Sequence, residues 1–405
     1  MYKPNETVLK NYADVLIKFA LNSGVGVKKD EVVLLWVRES AKAILEPLQR
    51  AVLESGGHYI TYYVPEGTDR RNIINKQFFK FASEKQVSYF PIKFYKGLAD
   101  QIDHQVEILS EEDPHLLEKV DNKKVMQRSA IMKPWSDWRS EKEHEGKFTW
   151  VLALYGTPAM AKEAGLSLED YWKQIVKACF LDEKDSIKKW QEVFGEIERV
   201  REKLNALKIR KLHVEAGGTD LWITMGEKRQ WLGGLGRNIP SFELFTSPDC
   251  KFTEGTISFN QPLYSYGNLI KDIQLWFEKG RVVKVKASKG QKVLEEMVKV
   301  KNADRVGEFS LTDGRMSRIT KFMANTLYDE NVGGRYGNTH MALGMSFRDA
   351  FAGDLKSVQK DEWEKLGFND SAVHTDIMAT TDRVVTAVLE SESEKVIYKS
   401  GKFVI

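Results

Sequence analysis

Cysteine is almost absent from this chain of 405 residues. The two that occur, Cys179 and Cys250, have no CxxC partner, which excludes a disulfide framework and a cysteine-based zinc site; both read as small core fillers. Long apolar runs are also missing. No stretch approaches the roughly 18 apolar residues of a membrane span, and the opening Met-Tyr-Lys-Pro-Asn-Glu is not a charged segment leading into an apolar one. The expectation is a soluble, cytoplasmic protein with no membrane partner. Charge of one sign is lacking as well: 61 Lys and Arg against 58 Asp and Glu leave a net charge of +3, spread over the whole sequence, so nucleic acid is not an expected partner. Several catalytic signatures are absent too. There is no GxSxG elbow and no HExxH helix. Gly233-Gly-Leu-Gly236 lacks the third glycine of a dinucleotide fingerprint, and Lys289-Gly-Gln-Lys292 lacks the spacing of a phosphate loop, so both read as turns.

What is present is ample core material, with 42% hydrophobic and 11% aromatic residues, in a chain longer than one core normally serves. The first part alternates helix and strand signals: an amphipathic run over 6–22, an apolar run over 31–37, a helical run over 41–55, then apolar runs over 58–64 and 148–155. Such alternation implies a parallel sheet with helical crossovers. The stretch between Asp100 and Glu145 is more polar, and 168–207 is helix-like throughout, which reads as a bridge. From about Lys211 the pattern changes to short strands and glycine turns, including a hairpin at Glu278-Lys-Gly280 and a helix over 291–300. The predicted fold class is therefore mixed, α/β followed by α+β. An N-terminal α/β domain with its helical bridge is expected over 1–207, and a strand-rich C-terminal domain over 208–405.

The chemistry is best marked in Ser371-Ala-Val-His-Thr-Asp-Ile-Met378. In an extended strand Ala372, His374, Asp376 and Met378 share one face, so imidazole and carboxylate point the same way. Such a pair can bind one divalent ion or form a hydrogen-bonded His-Asp couple without one. Of seven histidines, His340 and His374 lie in the carboxylate-rich last part of the chain, whereas His58, His104, His115, His144 and His213 read as solvated or structural. On spacing alone His340 is a capping or core residue, Glu254 a turn acid before a strand, and Glu308 a surface carboxylate at a helix end.

Motifs in a fixed order add to this. Val214-Glu-Ala-Gly-Gly-Thr-Asp-Leu221, Arg237-Asn-Ile-Pro-Ser-Phe-Glu243, Phe245-Thr-Ser-Pro248, Thr253-Glu-Gly255, Asn325-Thr-Leu-Tyr-Asp-Glu-Asn331, His340-Met-Ala-Leu-Gly344 and Ala372-Val-His-Thr-Asp376 resemble those of the thermophilic metallopeptidase family M29, which contains aminopeptidases T and S. The likeness runs essentially end to end. It implies a Rossmann-like first domain that supports a homodimer and a C-terminal catalytic domain with metal ligands at Glu254, Glu308, His340, His374 and Asp376. It also implies two divalent ions, with Glu308 as the bridge and a possible proton shuttle; zinc, cobalt and manganese all accept such a mixed donor set. The implied reaction is removal of the N-terminal residue from unblocked peptides, with a bridging water as nucleophile. One position departs from the family pattern. Phe347 stands where a tyrosine is usual, seven residues after His340, so a metal- or peptide-binding relative with little turnover is the alternative. The loop before His340 is longer than the family's short form, and Tyr336 or Arg335 within it is the candidate replacement donor.

Overall fold

The computed structural model describes residues 2–68, 74–113, 115–117, 120–265 and 268–405. The chain divides into two compact units, Met1–Lys189 with Leu235–Ile239, and Trp190–Gly234 with Pro240–Ile405. The division falls in the first turn of the helix Ser186–Ala206, whereas the expected cut at 207/208 falls just beyond its end. The short return to the first unit comes from Asn238–Ile239, which pairs in parallel with Leu152 and Ala153. Two residues are too few to show a strand's period-two alternation, so this excursion has no sequence signature.

In the first unit, strands β1 (Val32–Arg38), β2 (His58–Val64), β3 (His104–Leu109) and β4 (Thr149–Leu154) run parallel in the order β2-β1-β3-β4, followed by Asn238–Ile239. Every residue of β1 after Val32 is buried, as a central strand covered on both faces requires. Leu34, Trp36, Val64, Tyr95, Ile102, Trp135 and Phe148 belong to one hydrophobic core cluster of this unit. Strand β3 lies in the polar stretch, which carries no strand signal. Its buried His104 is satisfied by Glu31 Oε2 at 2.9 Å and Thr149 Oγ1 at 2.8 Å, which is how a polar residue is accommodated there. The helix-like stretch 168–207 is two helices, Leu168–Ala178 and Ser186–Ala206. Neither proline nor glycine marks the break. Phe180 takes a φ of +56° with its side chain buried, and the Ser186 hydroxyl donates to the Phe180 carbonyl at 2.8 Å.

In the second unit the labelled strands are Ile209–Ala216 (β5), Thr219–Thr224 (β6), Glu243–Thr246 (β7), Glu254–Phe259 (β8), Ile273–Glu278 (β9), Arg281–Lys286 (β10), Val306–Thr312 (β11), Asn338–Gly344 (β12), His374–Ala379 (β13), Arg383–Leu389 (β14), Glu394–Lys399 (β15) and Lys402–Phe403 (β16). They form an antiparallel eight-stranded sheet, β10-β9-β8-β6-β5-β14-β15-β16, and an antiparallel four-stranded sheet, β13-β12-β11-β7. The expected hairpin joins β9 to β10 through Lys279 and Gly280, both at positive φ (+49° and +72°), the conformation that a two-residue turn between twisted strands favours. The helix that follows runs over Gln291–Met297, shorter than expected. Strands β11 and β12 are buried at every position. Any charged side chain on them must therefore find a partner inside the protein.

Candidate metal centre

Pairing in the four-stranded sheet gathers the polar side chains on one face. In the register of β11 with β12 and β12 with β13, Glu308 lies opposite Ala342, which lies opposite Asp376; Gly344 lies opposite His374, and Ser310 opposite His340. Directly opposed residues project from the same face, so Glu308, His340, His374 and Asp376 converge there. Ala342, the smallest residue of this row to carry a side chain, lies between two of the carboxylates and leaves room above itself. On the other flank, β7 pairs with β11 and adds Glu243 to the same face. Glu330 enters from the turn after the short helix Thr326–Asp329.

Glu308 joins the two histidines. Its Oε1 lies 3.2 Å from His340 Nε2, and its Oε2 lies 3.2 Å from His374 Nε2. His340 Nε2 is also 3.4 Å from Glu243 Oε2, and His374 Nε2 is 3.3 Å from Asp376 Oδ1. The donors fall into two triads that share only Glu308, namely Glu243-Glu308-His340 and Glu308-His374-Asp376; a third grouping, Glu330-His340-Asp376, crosses both. The His374 Nδ1–H donates to the Met345 carbonyl at 2.7 Å, so Nε2 faces the carboxylates, as an N–H in the ion-free cluster and as the lone pair that an ion would take. The Ser241 hydroxyl donates to Glu243 Oε1 at 3.2 Å, and the Ser310 hydroxyl to its Oε2 at 3.4 Å. His340 Nδ1 is buried and has no hydrogen-bond partner among the described residues.

The electrostatics show how crowded the negative charge is. Burial pushes the Glu243 carboxyl up to about 7, the nearby Glu308 and Asp376 adding to the rise against the pull of His340. Burial pushes Glu330 well above the usual range, with Glu243, Asp376 and Glu308 adding repulsion. For Glu308 burial is outweighed by the bonds to His340 and His374, so it stays ionised; for Asp376 burial is outweighed by the charge and hydrogen bond of His374. Burial favours the neutral imidazoles, yet His340 is held at about 9 by its bond to Glu308 and the charge of Glu243, and His374 lies well above its ordinary value through Asp376 and Glu308. Three carboxylates, Glu243, Glu308 and Asp376, pair with the two imidazoles, and buried Glu330 lies within reach of His340 and Asp376; together they form a donor set suited to hard or borderline divalent cations.

Of the residues named from the sequence, the structure brings Glu308, His340, His374 and Asp376 together and does not bring Glu254 to them. Glu254 opens β8 in the other sheet, where it is exposed and accepts a hydrogen bond from the Lys279 N–H at 2.7 Å. Glu243 and Glu330 occupy the cluster without being among the ligands expected from the sequence, although both lie in motifs that carry the family resemblance. Phe347 lies beside the site: its ring centroid is 4.7 Å from that of His374 and 5.8 Å from that of Phe245. Arg335 and Tyr336 stack on each other, with the guanidinium 5.3 Å from the phenol ring centroid. The Tyr398 hydroxyl ties the Tyr336 carbonyl (3.2 Å) to that of Thr312 (2.9 Å). Their backbone is thus held at the Thr312 end of β11, about 13 Å along the strand from Glu308 at about 3.4 Å per residue.

Comparison with known proteins agrees with the geometry. Residues 5–403 match the family model described as thermophilic metalloprotease (M29). The chain is 25% identical over 415 residues to aminopeptidase AmpS of Bacillus subtilis (strain 168), with 98% of each chain covered. It is also 25% identical over 418 residues to aminopeptidase T of Thermus thermophilus, covering 98% of this chain and 99% of that one. The solved structure of wild-type AmpT from Thermus thermophilus superposes with a TM-score of 0.84 at 24% identity, over 98% of this chain and 99% of that chain, a likeness of fold.

Proposed function

The chain belongs to the thermophilic metalloprotease family M29, and on that premise we propose that it is an aminopeptidase that removes the N-terminal residue of unblocked peptides at a centre for two divalent ions. The observation that carries this reading is the placement of Glu308, each of whose carboxylate oxygens faces a different imidazole at 3.2 Å. One ion would be held by Glu243, Glu308 and His340, the other by Glu308, His374 and Asp376, with Glu330 beside both. Bound ions would supply Lewis-acid polarisation of the scissile carbonyl and a water of lowered pKa. The remaining work belongs to side chains. Glu308 keeps both imidazoles aimed into one space, Met345 fixes the His374 tautomer through its carbonyl, and a carboxylate beside the nucleophilic water, Glu308 or the adjacent Glu330, would take up a proton and return it to the leaving amine. Zinc, cobalt or manganese fits the donors. A cytoplasmic homodimer goes with the reading.

Removal of metal by chelation, followed by ion analysis and an assay on aminoacyl chromophores, tests it. Wild type should regain hydrolysis on adding Co(II), Zn(II) or Mn(II), and His374→Ala should not. A protein that hydrolyses unblocked substrates equally with and without chelator would refute the proposal. The second reading, a binding protein with little turnover, is favoured by Phe347, whose hydrocarbon ring occupies the flank of His374. Ion binding without hydrolysis of any unblocked substrate would select it.

A further inference from the structure

One fully buried amide joins the segments that carry Glu243 and Glu330. Asn331 Oδ1 accepts from the Phe242 N–H at 2.7 Å, while its Nδ2 donates to the Leu327 carbonyl at 3.2 Å and reaches Glu330 Oε1 at 3.5 Å. The two ends of the side chain are not interchangeable, because a peptide N–H needs an acceptor and a carbonyl needs a donor. Phe242 immediately precedes Glu243, and Asn331 immediately follows Glu330. The Phe242 ring is in turn stacked on buried Trp190, with centroids 5.4 Å apart and planes 15° apart. The Asn331 carbonyl accepts from the Ser317 hydroxyl at 2.5 Å. Both carboxylate-bearing segments are therefore referenced to a single rigid group. Neither segment is otherwise fixed by long regular structure: Glu243 is the first residue of the short strand β7, and Glu330 caps a helix of one turn.

We infer that Asn331 is a positioning residue that sets the separation of Glu243 and Glu330, and with it the ability of both carboxylates to engage the centre at once. The inference rests on the reading of this cluster as an ion-binding centre. Asn331 itself meets neither ion nor substrate and acts through its neighbours. Outer-shell partners of metal ligands typically change metal affinity by about 10–100-fold when removed.

The test is a titration of ion-free protein with Co(II), followed by heat and by the visible absorption of the bound ion, on wild type, Asn331→Ala, Asn331→Asp and Ser317→Ala. The expected result is binding of at least one ion weakened by about tenfold or more in both Asn331 variants, with an altered cobalt spectrum. Ser317→Ala, which removes a buried bond to the Asn331 backbone carbonyl and leaves its side-chain amide and its bonds to Phe242 and Leu327 in place, should melt earlier but bind cobalt as wild type does. Unchanged affinity and spectrum in the Asn331 variants overturn the inference, as does an equal loss of binding in Ser317→Ala. If the alanine variant does not fold, Asn331→Asp, which keeps the acceptor for Phe242, carries the test; loss of fold in both assigns Asn331 a purely structural role and overturns the inference. Failure of wild type to bind cobalt at all refutes the ion-binding reading itself.

Discussion

The ring of Phe347 stands 4.7 Å from the imidazole of His374, tilted by 57°, so the flank of a proposed metal ligand is a hydrocarbon surface with no donor. An acyl-transfer centre gains from a hydrogen-bond donor directed at the developing oxyanion, and loss of one such donor costs about 3–4 kcal/mol of transition-state stabilisation. Phe347→Tyr should place a phenol at this flank and raise kcat on aminoacyl chromophores, by roughly 10²-fold if the hydroxyl reaches the reacting carbonyl. KM should change much less. Steady-state kinetics on the metal-loaded pair decides the matter, and an unchanged kcat means that the missing phenol does not limit turnover.

Glu254 and Glu308 separate cleanly in space, and ion binding should separate them too. Glu308→Gln removes the group shared by both triads and should abolish binding of at least one ion in a calorimetric titration. Glu254→Gln should leave stoichiometry and affinity unchanged, because that carboxylate is exposed and its partner is the Lys279 N–H in a hairpin turn. Loss of that bond costs about 1 kcal/mol or less at an exposed site where water replaces it. Loss of an ion in Glu254→Gln would count against a cluster that leaves this residue out.

The contrast between these glutamates shows which information the sequence carries. His374 and Asp376 are two residues apart in a strand, so their common face follows from local geometry. His340 and Glu308 lie on separate strands, and only the family motifs join them. Glu243 and Glu254 each open a short strand, and nothing local says which sheet that strand joins. The difference is the sheet each strand joins: β7 pairs with β11 beside Glu308, whereas β8 pairs with β6 and β9. Sheet partners are chosen by contacts distant in sequence, which periodicity does not encode. Glu330 lies on a turn with no periodicity at all. The parallel first sheet is legible as apolar runs, except for β3, whose buried His104 is satisfied by Glu31 and Thr149 from elsewhere in the chain.

The proton affinities give opposite pH trends with and without ions. His340 is raised to about 9 in the ion-free cluster. Its imidazolium therefore adds stability that is fully present below the ordinary value of about 6.5 and is lost as pH rises through 9. An ion must displace that proton, so metal affinity should rise over the same interval. Glu243, at about 7, imposes a second proton release below neutrality. Melting of chelated and metal-loaded protein at pH 7, 8 and 9 should show a difference that widens with pH. A difference that stays constant, with no proton release on titration in buffers of different ionisation enthalpy, would sink this account.

Space at the centre is set by Ala342, fully buried between Glu308 and Asp376 in the cross-strand row. Its neighbour along the face, Gly344, has a φ of +109°, and a Cβ there would lie 2.1 Å from the Val373 carbonyl. The two small residues have different roles, and substitution should tell them apart. Ala342→Val adds two methyl groups on the ligand face; the strand conformation suits valine, so the main expected effect is steric exclusion of an ion, with overpacking costing about 1–3 kcal/mol. Gly344→Ala instead strains the backbone opposite His374 and should destabilise by at least about 1–3 kcal/mol. Denaturant melts paired with cobalt titration distinguish the cases: Ala342→Val should lose ion binding out of proportion to stability, and Gly344→Ala should lose stability even without metal. If Ala342→Val binds two ions as tightly as wild type, the space above Ala342 is not where they reside.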